Sequence, residues 1–225
     1  MNESTKSLSL TDDAPRVILA ELPGDLHVAG TDSLDVSLVT DDDGATLELD
    51  PEGLVQVRSG SDLLLRLPAA ASLEVRAVRG DARIQGVGGR LDIHEVNGDL
   101  KLRDVGPTRI GRVYGDLRAN AVQGDLWAEA VFGDAAVRAI SGAVTLERVQ
   151  ADALVRDAAG LVQVSAGADA TVELKVPGEH RLEAGADLRL IAGPAFAGTL
   201  ELRAGGDRRV DLPEGRLQME ERDGV

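Results

Sequence analysis

The sequence predicts an all-β protein, a single-stranded parallel β-solenoid (β-helix) with about 18 residues per coil and less regular β flanks that act as caps. Three observations support this fold class. A nine-residue repeat runs from residue 78 to residue 164. Apolar and polar positions alternate within each repeat, as in a strand with one buried face. Aromatic residues make up only 2% of the chain, so the core must be built from aliphatic side chains.

Each repeat begins with an apolar residue, usually places Gly third, and continues as a short strand; many place Asp fourth, as in VRGDARI, VNGDLKL, VYGDLRA and VFGDAAV. Gly and Asp favour a bend, because Gly accepts positive φ and Asp can hydrogen-bond nearby backbone. Nine residues supply one strand and one bend, which is too short for a helical crossover. Two repeats, or 18 residues, therefore predict one coil, with successive coils about 4.8 Å apart. A coil of three repeats, or 27 residues, is the alternative.

Alternate repeats differ at their fourth position, which predicts two unlike edges. One set is uniform and forms an acidic ladder of Asp81, Asp99, Asp116, Asp134 and Asp152. The other set reads Arg90, a deletion, Asp125, Ala143 and Leu161. Stacked carboxylates repel by roughly 1 kcal/mol per neighbouring pair in water. We expect cations two residues further along the strand, at Arg83, Lys101 and Arg118, to offset this repulsion.

The flanks of the repeat predict the rest of the organisation. Residues 1–15 are polar and end at a proline, which predicts a flexible tail. Short alternating runs over residues 16–77 predict the start of the solenoid, with a looser period. After residue 164 the period becomes irregular, and we expect residues 165–215 to form a C-terminal cap that protects the open end of the sheets. Residues 216–225 predict a second tail.

Composition excludes several partners. The chain has 24 basic and 39 acidic residues, a net charge of −15, which disfavours nucleic acid and anionic membranes. Cysteine is absent, so thiolate chemistry and disulfides are excluded. No window is apolar enough for membrane insertion, and the N-terminus lacks a signal-peptide pattern. We therefore expect a cytoplasmic protein, with envelope association as the alternative.

The order of these features resembles the bacterial DUF4097 family of adhesin-type β-strand repeat proteins. The resemblance lies in LLLRLPAAASLEVRAVRGDARI at the entry to the repeats, in the recurring GDL segments and in the closing VELKVPGEHRLEA, and it covers roughly residues 20–215. It implies the fold, an ill-defined and often envelope-associated role, and no catalytic residues. From this sequence we expect the chain to lack the leader, membrane helix or N-terminal helical module of some relatives.

No motif predicts catalysis, a cofactor or a metal. His27, His94 and His180 lack ligand spacing, and P-loop, nucleophile-elbow and dinucleotide patterns are missing. For the acidic ladder, divalent cation binding is the alternative to a purely structural role. The calcium-binding nonapeptide requires paired glycines, whereas these repeats usually have a single Gly, and GVGGRLD at residues 86–92 is the nearest approach. The RGD at residues 79–81 follows from the repeat register.

Tyr114, Trp127 and Phe132 form the candidate interaction surface. Tyr114 and Phe132 occupy the same position in alternate repeats, so an 18-residue coil stacks their rings. Exposed aromatic residues mark contact surfaces, and the alternative is a ladder that only stiffens the solenoid.

Together these features predict a non-enzymatic β-solenoid scaffold or protein-binding module, with a protein partner or a second copy of the chain as its ligand. The first alternative is a bactofilin-like polymerising structural protein. The second is a carbohydrate-active β-helix enzyme, for which nine-residue repeats leave no room to build a cleft.

Overall fold

The computed structural model describes residues 4–193 and 196–211, and within these ranges every regular element is a β-strand. Consequently, they contain no helix long and apolar enough to cross a membrane. The strands before the repeats are β1 (Ser4–Ser9), β2 (Arg16–Leu22), β3 (Leu26–Thr31), β4 (Asp35–Thr40), β5 (Thr46–Leu49), β6 (Leu54–Arg58) and β7 (Leu63–Pro68).

The remaining strands alternate between two sheets that face each other. They are β8 (Ser72–Val78), β9 (Ala82–Gln85), β10 (Leu91–Val96), β11 (Leu100–Val105), β12 (Thr108–Val113), β13 (Leu117–Val122), β14 (Leu126–Val131), β15 (Ala135–Ile140), β16 (Val144–Val149), β17 (Ala153–Ala158), β18 (Val162–Ala166), β19 (Ala170–Leu174), β20 (Gly178–Ala184), β21 (Leu188–Ala192), β22 (Gly198–Ala204) and β23 (Arg208–Asp211). We call the sheet with the odd-numbered strands from β9 sheet A, and the sheet with the even-numbered strands from β8 sheet B.

From β8 onward, each even-numbered strand and the odd-numbered strand that follows it form one coil. The strands of successive coils pair in parallel. Leu91 aligns with Leu73 on one side, and Leu117 aligns with Ala135 on the other, 18 residues away in each case. The strands from β8 to β23 build eight such coils. The prediction of a parallel β-solenoid with two repeats per coil is therefore confirmed, and the 27-residue alternative is wrong.

The core is a set of aliphatic columns between the two sheets. In β11 the inward-facing Leu100, Leu102 and Val105 are at most 3% exposed, whereas the residues between them face solvent. Burying a Leu or Val side chain contributes about 1.5–3 kcal/mol. Because the two sheets are close together, side chains of this size fill the space and large aromatic rings are not needed.

The bends at the ends of five sheet A strands, β9, β11, β13, β15 and β17, use left-handed backbone. Asp104, Ala121, Ala139 and Asp157 have φ of 51°, 57°, 55° and 55°, and Gly86 takes the same conformation one coil earlier at 71°. Each of these residues comes directly before the last buried residue of its strand. The residue after each left-handed position is buried in the core.

The N-terminal strands do not stack in chain order. In sheet A, β3 lies between β7 and β9, and in sheet B, β2 lies between β6 and β8. The first coil of the sequence is thus enclosed by the second and the third. Beyond the β6 and β7 coil, β4 pairs antiparallel with β7, β1 pairs antiparallel with β4, and β5 pairs antiparallel with β6.

The two ends of the solenoid differ from the sequence prediction. Residues 1–15, predicted as a tail, contain β1, because edge pairing with β4 and packing of Leu8 against the core outweigh the polar composition. The cap predicted at residues 165–215 is not what the described part of that segment forms, since β19 to β23 continue the parallel coils. Their spacing varies from 17 to 20 residues, which hides the repeat in the sequence. Residues 212–215 and the predicted tail at 216–225 lie outside the described residues.

Candidate functional site

The edge that joins each sheet B strand to the next sheet A strand carries an aspartate ladder. In every coil an Asp precedes the sheet A strand, and its backbone N–H donates to Oδ1 of the Asp in the preceding coil. The ladder extends beyond the five predicted residues and comprises, in spatial order, Asp62, Asp25, Asp81, Asp99, Asp116, Asp134, Asp152, Asp169, Asp187 and Asp207.

The geometry of the ladder is uniform. The N–H of Asp99 donates to Asp81 Oδ1 at 2.8 Å, and that of Asp152 donates to Asp134 Oδ1 at 3.1 Å, the longest of the series. These bonds satisfy backbone donors that a bend would otherwise leave unpaired. The main role of the ladder is therefore to connect successive coils, and one oxygen of each carboxylate is used for this purpose.

A glycine precedes six of the ten ladder aspartates, and close packing rather than a left-handed backbone favours it there. The other four aspartates follow Ser61, Ala151, Ala168 and Ala186. A Cβ on Gly98 would lie 2.2 Å from Asp81 Oδ1 and 2.8 Å from the carbonyl oxygen of Gly80. Neither Gly98 nor Gly80 has a positive φ, so the expectation that these glycines supply such a bend is wrong. The close approach lets the N–H of Gly98 donate to the Gly80 carbonyl at 3.0 Å.

Cations offset the acidic ladder over only part of its length. Lys101 lies 3.7 Å from Asp99, and Arg118 lies 3.6 Å from Asp99 and 2.9 Å from Asp116. In the next two coils the residues that align with Arg118 are Ala136 and Leu154, which carry no charge. A shallow depression lies over these small and apolar side chains.

Asp134, Asp152 and Asp169 border this depression, and neither Asp134 nor Asp152 forms an ion pair with a described residue. The outer face of sheet A next to the ladder is consequently more negative here than around Asp99.

At the N-terminal end the ladder stops at Asp42. Its carboxylate accepts the N–H of Gly60 at 2.6 Å and the N–H of Gly44 at 2.8 Å. These two donors, with the one from Gly60 contributing most, lower the pKa of Asp42. The repeat pattern does not predict this contact, because Asp42 lies outside the repeats.

The opposite edge is heterogeneous, as predicted. The N–H of Ala143 donates to Asp125 Oδ1 at 2.8 Å, and the N–H of Gly124 donates to the Ser141 hydroxyl at 2.8 Å. Further along, the N–H of Val162 donates to Nδ1 of His180 at 3.1 Å. His180 is 2% exposed, and burial lowers its pKa.

Tyr114 and Phe132 stack on the ladder edge, as the 18-residue coil predicts. Their ring centroids are 4.8 Å apart and the rings are inclined by 8°. Each precedes a ladder Gly-Asp pair, and their backbone N–H groups bind the preceding coil at 2.9 Å. Tyr114 is 45% exposed and Phe132 is partly exposed. We call this pair, with its flanking neighbours Asn97 and Gln150 in the same column, the aromatic edge.

Trp127 is not part of the aromatic edge. It is the second residue of β14, whereas Phe132 follows the last residue of that strand, about 16 Å away at the usual rise per residue. The indole ring holds the Arg109 guanidinium 4.3 Å from its centroid and donates to Glu147 at 3.0 Å. The three predicted aromatic residues therefore divide between an edge pair and a separate contact on the outer face of sheet B.

Other candidate residues have ordinary structural contacts. The charged groups of the RGD segment are used within the chain, since Arg79 binds Glu21 at 2.7 Å and Asp81 accepts from Asp99. Within residues 4–193 and 196–211, no group of three or more His, Asp or Glu side chains is arranged to hold a metal ion. His27, His94 and His180 lie on different strands.

Two solved structures are similar to the chain in shape. A putative adhesin from Parabacteroides merdae ATCC 43184 aligns with a TM-score of 0.37 and 10% identity, covering 92% of this chain and 96% of its own. A putative cell adhesion protein from Clostridium sporogenes ATCC 15579 aligns with a TM-score of 0.34 and 10% identity, covering 92% and 99%. No protein-family model matches the chain, and no curated protein matches it. At these scores the two similarities carry no inference about partners or activity.

Proposed function

We propose that the protein is a non-enzymatic β-solenoid scaffold that binds a protein partner through the aromatic edge. The observation that carries this proposal is the exposed stack of Tyr114 on Phe132, which is flanked in its column by the polar residues Asn97 and Gln150. Exposed aromatic residues are enriched at the centres of protein interfaces, where a few of them supply most of the binding energy. Membership of the DUF4097 family, a cytoplasmic location, and the absence of nucleic-acid binding and membrane insertion belong to the same proposal.

The scaffold around the pair favours recognition over catalysis. Connections between β10 and β18 are two or three residues long, so the chain there has no long loop with which to build a cleft. The repeated backbone bonds at 2.9 Å hold both rings in place, which lowers the entropic cost of binding.

The neighbouring charges define the partner. Asp134 follows Phe132 by two residues and forms no ion pair with a described residue, whereas Asp116 beside Tyr114 is paired with Arg118. A suitable partner presents an apolar or aromatic side chain to the two rings and a Lys or Arg to Asp134. Such pairing places charge at the rim and apolar contact at the centre.

The proposal is tested by comparing the wild-type chain with a Tyr114→Ser and Phe132→Ser double variant in affinity capture, followed by calorimetric titration of the purified captured protein. We expect the double variant to bind at least about 30-fold more weakly, as for the loss of an interface hot spot of about 2 kcal/mol. Trp127→Ser, at an aromatic residue outside the aromatic edge, is the matched control and should bind normally. Equal binding by the double variant would exclude the aromatic edge as the interface.

A further inference from the structure

The C-terminal end of the solenoid differs from the rest of the described chain because its core is open. Leu182 and Leu190, one coil earlier, are fully buried. Their neighbours in the last coil, Leu202 and Val210, are only partly buried. Among the described residues, β22 and β23 are the last strands of sheets B and A. Two strand edges and an apolar layer are therefore available at the same end.

The two edge strands, β22 and β23, are positioned so that each can pair with the same strand of a second copy of the chain. Leu202 precedes the turn at residues 205–207 by three residues, and Val210 follows it by three, so both lie at the same distance from the ladder edge. A two-fold axis perpendicular to the sheets and passing through both positions would pair each strand antiparallel with its own copy. One symmetry operation thus satisfies both sheets at once.

The charges on both strands fit this axis. Around Leu202, an antiparallel pair places Glu201 opposite Arg203 of the second copy, and Arg203 opposite its Glu201. Around Val210, it places Arg209 opposite Asp211 of the second copy. These groups already attract each other within one chain, with Arg203 at 3.0 Å from Glu201 and Arg209 at 3.2 Å from Asp211. Opposite charges directly across a strand pair contribute roughly 0.2–1 kcal/mol each.

Arg208 is also compatible with this arrangement. Arg208 aligns with the buried Leu188 and therefore occupies an inward-facing register, but it adjoins the turn and is exposed. A long arginine side chain at the rim reaches solvent while its methylene groups cover apolar surface.

We propose that this end of the solenoid is a self-association surface, which joins two copies of the chain as a closed dimer through β22 and β23. The surface is separate from the aromatic edge, which lies several coils away. Because a two-fold contact uses the same patch on both copies, it closes at two. The opposite end of the solenoid presents different strands, the antiparallel β1 and β5.

Sedimentation velocity of the full chain over a wide concentration range tests the proposal. We expect a reversible monomer–dimer equilibrium. Glu201→Arg places Arg opposite Arg, and Arg203→Glu places Glu opposite Glu, so each variant should be monomeric. Mixing the two variants restores opposite charges across the pair and should yield a mixed dimer. Glu48→Arg on β5, at the other end, is the matched control and should dimerise like the wild type.

The same variants exclude the competing arrangements. Assemblies that grow beyond two copies would contradict the closed dimer and favour a filament. A wild-type chain that stays monomeric would overturn the proposal, and dimerisation only after deletion of residues 212–225 would show that the chain's own C-terminus occupies this end. Circular dichroism melting of each variant separates lost pairing from lost folding, and absence of the mixed dimer from two folded variants would also contradict the proposal.

Discussion

At the scale of single residues, the ladder aspartates act first as hydrogen-bond acceptors and only second as charges. Each Oδ1 satisfies a backbone donor in the next coil, whereas the net charge is offset by cations at only some positions. Asn keeps the acceptor and removes the charge, and Ala removes both. The two roles can therefore be separated by substitution.

We predict that Asp134→Ala lowers the free energy of unfolding by about 1 kcal/mol, because the N–H of Asp152 loses its acceptor. Asp134→Asn should leave stability unchanged or slightly higher, since Asp134 lacks an ion pair with a described residue. Chemical denaturation measures both effects. An equal loss for Asn and Ala would mean that the negative charge itself is needed at this position.

The left-handed residues of sheet A provide a second test at this scale. Ala139 is exposed and has φ of 55°. We predict that Ala139→Asn stabilises the protein by up to about 1 kcal/mol, because Asn tolerates this conformation better than other L-residues. Ala139→Val should destabilise it by about 1–2 kcal/mol, since a β-branched side chain is strained there. Thermal denaturation of the three proteins gives the order directly. If the Ala139→Val variant were as stable as the Ala139→Asn variant, the backbone at residue 139 would have to leave the left-handed conformation, contrary to this prediction.

At the scale of elements, the start of β18 depends on a side chain that titrates. Nδ1 of His180 accepts the Val162 N–H, and Nε2 lies 3.3 Å from the Val176 carbonyl, so the neutral ring fits both contacts. Protonation would put an N–H group on Nδ1, facing the N–H group of Val162. The nearest described ring, Phe196 at 5.8 Å, supplies no compensating charge, and Glu179 next in the chain is exposed.

We predict that this contact makes the protein less stable as the pH falls below about 6.5. Burial lowers the pKa of His180 in the folded state, so the unfolded chain binds the proton first. The contribution is complete above the unfolded pKa and is lost as the pH falls through the folded one. Denaturation of wild type and His180→Leu at several pH values isolates the effect from the carboxylates. Parallel pH curves for the two proteins would contradict it.

At the scale of the whole molecule, stability should follow the coil and not the single repeat. We predict that deleting residues 117–134, one full coil, leaves a folded protein shorter by about 4.8 Å, because every later strand keeps its sheet and its edge. Deleting residues 117–125, one repeat, should destabilise the fold far more, since all later strands change sheet and the aspartate ladder is interrupted. Small-angle scattering and circular dichroism compare the two. Similar folding of both would show that the edges are interchangeable.

The sequence predicted the coil and the central ladder because the repeat there is nearly strict and each Asp aligns with the next. It did not predict the ladder contacts of Asp25 and Asp62, because β2 and β3 lie between coils that come later in the chain. It missed the contact of His180 although this residue lies 18 positions after Val162, because a histidine replaces the apolar residue that the repeat has at this position. The separation of Trp127 from Phe132 depends on which end of β14 each occupies, which the composition does not reveal.

The enclosed position of β2 and β3 also determines how the chain can fold while it is being synthesised. Residues 16–31 leave the ribosome early, yet both of their edges are covered only after residues 54–85 have followed. From then on, each new coil adds to the exposed edge of the coil before it, and the loop it must close is only about 18 residues long. The nascent protein thus needs one slow, non-local assembly at its start, after which it grows by short local additions in the direction of translation.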